Sequence, residues 1–283
     1  MGSFNYEQGR SANGFNTRPL LNGHDRVERL AEYSKNDLDR LRQNVAMPSN
    51  YLLQKLPSAT LKKLGPFMRK VVFAGGEFVS RPDEEVEWIY FPETTAISEL
   101  HILEDGRTIE VSLTGREGAV GLFALNWPGT SPNWVQVCTP GIAMKIKRDA
   151  LRRETAGLDW VNRVFNEAMQ SYNAQISQKV ACNAHHSVEQ RFATWLLMLN
   201  DRCSTDKLKL TQEHIARVLG VYRPSVTCIA QSMRDRGIID YRRSSISIRD
   251  REVLKEVGCG CYTEISPVEE AGIPDGKFSP RIL

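Results

Sequence analysis

The chain has 283 residues, 41% of them apolar and 25% charged, with a formal net charge of +3 from 37 basic and 34 acidic side chains. At roughly 100–200 residues per domain that length points to about two domains. The ordinary balance excludes a collagen, a wholly disordered chain and a membrane bundle, and a near-neutral total neither demands nor excludes a nucleic-acid partner.

Residues 1–23 are rich in Gly, Asn, Ser and Arg without periodicity and read as a tail. They hold no continuous apolar core of the kind a secretory signal needs. Val27, Leu30, Ala31, Leu38, Leu41 and Val45 then recur at mostly helical spacing among charged residues, giving an amphipathic helix that Pro48 ends. A short helix is expected near Ser58–Leu64, capped by Ser58.

From 68 to 148 the texture changes to short apolar or alternating runs separated by turn residues. They are RKVVF, EFVS, VEWIYF, ISELHIL, RTIEVSL, WVQVC and IAMKIK. Strands of this length and spacing make an all-β sandwich or barrel. Asp105-Gly106 between two alternating runs marks a hairpin with a primed turn. The richest apolar run, 118–127, stops at Pro128 and is far short of the roughly 18 residues that span a bilayer, so no membrane association is expected.

A long helix follows. Leu158, Val161, Phe165, Ala168, Tyr172, Gln175, Lys179 and Cys182 step by alternating threes and fours, apolar for five positions and polar afterwards. Spacing leaves two uses open, packing on the chain's own β domain or pairing with the helix of a second copy. Helical texture resumes through SVEQRFATWLLMLNDR, with Phe192, Trp195, Leu196, Leu197 and Leu199 facing a core.

The segment TQEHIARVLGVYRPSVTCIAQSM, 211–233, carries the functional signal. Thr211 can cap a helix. Ile215, Leu219, Val221, Val226 and Ile229 face inward, Ala216 is small where two helices cross, and Gly220 stands where a sharp turn needs positive φ. Two short helices joined by a glycine-containing turn form a helix-turn-helix, whose second helix, about 223–233, enters a DNA major groove. Arg223 in its first turn can pair bidentately with guanine. Tyr222, Ser225, Thr227 and Cys228 share that end, and Pro224 is tolerated in a first turn. Thr211 and Gln212 are candidates for phosphate contacts. The following IIDYRRSSISI, with a turn at Ser244-Ser245, reads as a wing whose Arg242 and Arg243 reach phosphates. Residues 183–262 hold 13 Lys/Arg against 9 Asp/Glu, so the basic excess lies on this segment.

LEDGRTIEVSLTGREGAVGL (103–122), ACNAHHSVEQRFATWLLML (181–199), LTQEHIARVLGVYRPSVT (210–227), YRRSSISI and CGCY together resemble the Crp/Fnr family of bacterial transcription regulators, over about residues 50–262. The resemblance implies an α+β chain in which an N-terminal antiparallel jelly roll, like that of cyclic-nucleotide-binding proteins, precedes a dimerisation helix and a C-terminal winged helix-turn-helix. The implied divisions are a tail at 1–23, a sensor domain at 24–150, the dimerisation helix at 151–182 with Leu158, Val161, Phe165, Ala168 and Tyr172 as its seam, the DNA-binding domain at 183–262 and a tail at 263–283. A homodimer on a two-fold-symmetric double-stranded operator follows, with RNA polymerase as a further partner and the cytoplasm as the location.

Two departures bear on the effector. Where cyclic-nucleotide sensors of the family carry a Glu for ribose and an Arg-Ser/Thr for the cyclic phosphate, this chain resembles them only as Gly121-Leu122-Phe123-Ala124-Leu125 and Ser131-Pro132. An unpaired phosphate in an apolar pocket is costly, so control by cAMP is not expected and the effector is left open. In the recognition helix, Pro224 and Cys228 stand where cyclic-AMP-type members have Glu and Arg, so a different operator is expected.

No cofactor, metal or catalytic set is expected. A jelly-roll enzyme would want several His and a carboxylate converging in the barrel, and His101 is alone on its strand. A ligand-binding module using its helical domain for protein contacts is a further alternative, opposed by Arg223, Arg242 and Arg243. The six cysteines begin only at Cys138, which removes an N-terminal iron–sulfur set. Adjacent His185 and His186 mark a helix junction. Cys259-Gly260-Cys261 is half of a zinc site without a second pair, and is read as structural thiols.

Overall fold

A computed structural model describes residues 48–126, 129–203, 205, 207–242 and 244–265. The expected tails at 1–23 and beyond 265, the amphipathic helix within 24–47, and Arg243 lie outside these residues. Helix α1 (Tyr51–Gln54) starts at Asn50, whose side chain accepts from the Leu53 amide and donates to the Pro92 and Gly118 carbonyls at 2.8 and 2.9 Å. In α2 (Ser58–Leu64), Pro57 rather than Ser58 is the N-cap and makes no side-chain cap, because its ring carries no hydrogen-bonding atom.

All seven expected strands form: β1 (Arg69–Phe73), β2 (Phe78–Ser80), β3 (Trp88–Pro92), β4 (Ile97–Ile102), β5 (Thr108–Thr114), β6 (Trp134–Val137) and β7 (Gly141–Lys147). They make two antiparallel sheets, ordered β1-β7-β3 and β2-β6-β4-β5. One core between them holds Val71, Phe73, Ile97, Val135 and Val137. The β4–β5 turn differs from the expected primed type. The Gly106 amide bonds to the Leu103 carbonyl at 2.8 Å and only Gly106 in this turn has positive φ, so a tight turn is followed by a left-handed glycine.

Helix α3 (Arg148–Thr155) closes the β domain, and the chain breaks at Gly157, φ +73°, before α4 (Asp159–His185). The break puts the start of the long helix at 159, not 151. The seam expected for a second chain turns inward instead. Val161 and Phe165 are 1% and 5% exposed in a core with Leu122, Ile146 and Leu151, and Leu158 and Ala168 pack against it. Tyr172 donates from its hydroxyl to Glu99 at 2.8 Å. A heptad stripe records that one face is apolar, not which surface covers it.

The polar half of that stripe has its own physical reason. Strand β5 is a sheet edge, with backbone groups that need partners. The Gln175 amide satisfies two of them, accepting from the Leu113 amide at 2.9 Å and donating to its carbonyl at 3.1 Å. One turn on, Lys179 pairs with the buried Glu110 carboxylate.

Helix α5 (Val188–Arg202) opens with a capping box between Ser187 and Gln190. Phe192, Trp195, Leu196, Leu197 and Leu199 are all buried, which explains an apolar run with no polar face. Its core also includes Ala96, Leu100 and Leu113, so the β domain and the C-terminal domain share one apolar core. Burial of each such side chain contributes about 1.5–3 kcal/mol. The joint is fixed by Glu110 on β5, which accepts from Ser98, from Lys179 on α4 and from the Trp195 indole on α5 at 3.1 Å. Three elements thus meet on one carboxylate that would be costly to leave unpaired.

The C-terminal domain continues with β8 (Leu208–Lys209), α6 (Gln212–Leu219), α7 (Arg223–Asp235), β9 (Ile239–Arg242), β10 (Ser245–Ile248), α8 (Arg251–Val257) and α9 (Cys261–Ile265). Its small sheet is ordered β8-β10-β9. Helix α9 enters the stretch from 263 expected to be tail. No helix among the described residues is long and apolar enough to cross a membrane.

Candidate nucleic-acid interface

Helices α6 and α7 form the expected pair. Thr211 caps α6 by accepting from the His214 amide at 3.1 Å. Gly220 ends it at φ +65°, and the Val221 amide bonds back to the Ala216 carbonyl at 3.0 Å. A left-handed glycine with a long back-bond turns the chain at once, so α7 can start within two residues. A second such device ends α7, where Gly237 has φ +74° and the Ile238 amide reaches the Met233 carbonyl at 2.9 Å.

The pair is anchored by Ile215, Val226, Ala230 and Met233, all buried in the core beneath. His214 is buried beside Trp195, and burial, helped by nearby Arg217, lowers its pKa to about 3, so the ring is neutral. With α6 and the inner face of α7 fixed, Tyr222, Arg223, Pro224, Ser225, Thr227 and Cys228 are exposed. Tyr222, 80% exposed, is the N-cap and makes no side-chain cap bond. Half-buried Gln212 organises this surface: its carbonyl oxygen accepts from Arg223 Nε and from the Thr227 hydroxyl, both at 3.2 Å. That contact occupies Nε and orients the guanidinium.

The wing flanks this surface. Strands β9 and β10 pair Ser245 with Arg242, and Ser244 takes φ +62° in the turn. Arg242 is exposed, with its Nε on Asp240 at 3.1 Å. Strand β9 packs against α7, and the Tyr241 hydroxyl is held above its ordinary pKa by burial, opposed by the nearby Arg223 charge. Arg223, Ser225 and Thr227 on α7 and Arg242 on the wing are all exposed. Such a surface offers fork-shaped and short donors to base edges and phosphates.

The turn is also tied to the β domain. A Cβ on Gly220 would lie 3.2 Å from Ile109 Cδ1, so Ile109, on β5, touches it. In the β domain the stretch from Gly121 forms a short 3-10 helix, Leu122–Leu125, after a left-handed Gly121, with Leu122 buried. The cavity beside it, about 20 Å³, is lined by Val86, Trp88, Tyr90, Glu99, Phe123 and neighbours. It has room for about one water molecule. Burial raises the pKa of the Glu99 carboxyl there, against the Tyr172 and Asn133 hydrogen bonds.

One cluster joins residues that lie far apart along the chain. Cys182, His186, Cys259 and Cys261 converge at the C-terminal end of α4, with their four ligand atoms all within 4.8 Å of one another. The half-site Cys259-Gly260-Cys261 thus has a second pair, and His186 does more than mark a helix junction. The signal in the sequence is Cys182-x-x-x-His186, a one-turn spacing that puts both side chains on one helix face.

Residues 190–257 match the model of the Crp-like helix-turn-helix domain. No curated protein matches the chain. Solved structures do. FixK2 from Bradyrhizobium japonicum superposes with a TM-score of 0.58 at 19% identity, over 68% of this chain and 98% of that one. The c-di-GMP-responsive global regulator CLP from Xanthomonas campestris gives 0.56 at 14% identity, over 68% and 99%. A Crp-family transcriptional regulator from Thermus thermophilus gives 0.54 at 21% identity, over 66% and 95%. Identities this low establish a shared fold.

Proposed function

We propose that the chain, which carries a Crp-like helix-turn-helix domain, is a DNA-binding transcription regulator of the Crp/Fnr type that binds a two-fold-symmetric operator as a homodimer and is not controlled by cAMP. The observation that carries the reading is the exposed edge of α7, with Arg223 held by Gln212 and Arg242 on the adjacent wing. Arg223 reads a guanine in the major groove, Ser225 and Thr227 supply short donors, and Arg242 holds a phosphate. Thr211 and Gln212 lie at the start of α6, where a helix N-terminus favours phosphate. Pro224 and Cys228 shape a site different from the cyclic-AMP-type operator.

Members of the family dimerise. Since the stripe from Leu158 to Tyr172 is turned to the chain's own β domain, the seam for a second copy is the neighbouring face of α4, about 100° round the helix. There Asn173, Ile176, Val180 and Ala184 step by three and four, and Val180 is 66% exposed. Two recognition helices would then stand roughly 34–36 Å apart, one DNA turn. The cavity, with room for about one water molecule, and Leu122 in place of the ribose-binding Glu support independence from cAMP and leave the effector open. Bound at the operator, the dimer contacts or excludes RNA polymerase.

Selection of bound DNA from a random pool tests the reading, with calorimetry against cAMP alongside. Paired half-sites one helical turn apart are expected, and Val180→Glu should give monomers that lose the paired site. Recovery of unpaired or random sequences would overturn the operator model, and micromolar cAMP affinity would overturn the effector reading.

A further inference from the structure

We propose that Cys182, His186, Cys259 and Cys261 form a closed structural zinc(II) site that fastens the end of the long helix to the C-terminal end of the DNA-binding domain. The four ligand atoms lie within 4.8 Å of one another, although Cys182 and Cys259 are 77 positions apart along the chain. Tetrahedral zinc, with Zn–S about 2.3 Å and Zn–N about 2.0–2.1 Å, requires S–S edges of about 3.8 Å and S–N edges of about 3.5 Å. Cys182 Sγ and Cys259 Sγ are 3.6 Å apart, and Cys261 Sγ and His186 Nδ1 are 3.4 Å apart. These are two opposite edges of one tetrahedron, already near the required length.

The surroundings suit thiolates. Gln178 Nε2 donates to Cys261 Sγ at 3.1 Å. The Thr194 hydroxyl oxygen accepts the Cys259 amide at 3.0 Å and lies 3.1 Å from Cys259 Sγ, placed to donate its proton to a thiolate there. Donors aimed at sulfur are what an outer shell supplies to metal-bound thiolate. Three thiolates and a neutral imidazole around a divalent ion leave one negative charge. Arg191 lines the same small pocket as Cys182 and supplies the opposite one. Its Nη1 also donates to the Leu219 carbonyl at 2.9 Å, the last residue of α6. The site is therefore one residue removed from the helix-turn-helix turn.

Burial makes the site a closed one. Cys182, Cys259 and Cys261 are 7%, 6% and 3% exposed, and half-buried His186 stands at the rim. Four protein ligands leave no open position, which is the structural and not the catalytic arrangement. Thiolate–imidazole sets of this shape select zinc among the common divalent ions. A polynuclear iron–sulfur cluster is excluded by the spacing, since it needs room for several irons and sulfides between its ligands. A Cys182–Cys259 disulfide would require the sulfurs to close to about 2.05 Å and would leave Cys261 and His186 without a role.

The test uses the full chain purified anaerobically with reductant. Elemental analysis should find one zinc per chain. Exchange with cobalt(II) should give the strong visible absorption of tetrahedral cobalt with a sulfur-to-metal charge-transfer band. Cys261→Ser should lose this metal, whereas His186→Cys should keep it, with the cobalt spectrum shifted toward four-thiolate ligation. Gln178→Leu, which removes an outer donor while leaving all ligands, should weaken zinc affinity by about 10–100-fold. Zinc removal should lower the thermal midpoint of the wild-type protein and not that of Cys261→Ser. Reduced protein that takes up neither zinc nor cobalt, or a cobalt spectrum unchanged in Cys261→Ser and His186→Cys, would overturn the proposal. So would recovery of the cluster as a Cys182–Cys259 disulfide that persists with reductant.

Discussion

Acidification should weaken the fold through His214, and the size of the effect can be worked from its position. The ring is buried in α6 against Trp195, with its Nε2 lacking a hydrogen-bond partner among the described residues, and its pKa is lowered from 6.5 to about 3. In the unfolded chain the imidazole takes a proton below its ordinary pKa, while the folded chain refuses it until far lower pH. The unfolded state therefore binds more protons across this window, and stability falls as pH drops. At about pH 5 the pH lies about 1.5 units under the unfolded pKa. At about 1.4 kcal/mol per unit this costs about 2 kcal/mol relative to pH 7.5. That is a large fraction of a total stability of roughly 5–15 kcal/mol. Urea unfolding of wild type and His214→Phe, followed by tryptophan fluorescence at the two pH values, isolates the term. Phe keeps a ring beside Trp195 and cannot titrate, and carboxylates such as Glu93 and Glu99 contribute equally to both proteins. Wild type should lose about 2 kcal/mol more than the variant on acidification. Parallel losses would refute the buried neutral histidine.

Three further outcomes follow from the interface. Arg223→Ala should cost about 1–3 kcal/mol at a selected operator and relax base preference at one position, read by titration of matched and mismatched sites. Arg242→Ala should weaken binding to all sequences alike and reduce the slope of log affinity against log salt by about 1, so a loss confined to one sequence would contradict a phosphate role. Gly220→Ala should destabilise the domain by about 1–2 kcal/mol in denaturant unfolding, since L-residues strain in the left-handed region and the new methyl meets Ile109.

Local features are legible in the sequence because their causes are local. Thr211 caps α6 because a short hydroxyl side chain can reach the amide three residues on. Gly220 turns the chain because it has no Cβ, and each strand run declares itself by alternation and bounding turn residues. Where the structure departs from expectation, the cause lies elsewhere. Asp-Gly alone does not fix the type of the β4–β5 turn, because loop length decides it. The stripe on α4 packs on the chain's own β domain, one of the two uses its spacing leaves open, because periodicity cannot name its partner. Its polar continuation at Gln175 and Lys179 looks like a weakening of the pattern. It is instead matched residue by residue to the free edge of β5 and to Glu110.

The sequence by itself determined the order of elements, the helix-turn-helix with its exposed arginine, and the departure from the nucleotide cassette. These rest on short-range sterics, capping and side-chain chemistry, which act within a few residues. Only the tertiary structure decided which face of α4 stays free, how Trp195 reaches Glu110 across 85 positions, and that Cys182 and His186 meet Cys259 and Cys261. Such contacts depend on how separate elements pack, and neither spacing nor composition carries that information. For the cysteines this matters most, since two half-sites that look incidental along the chain become one tetrahedron only when the last helix folds back on the long one.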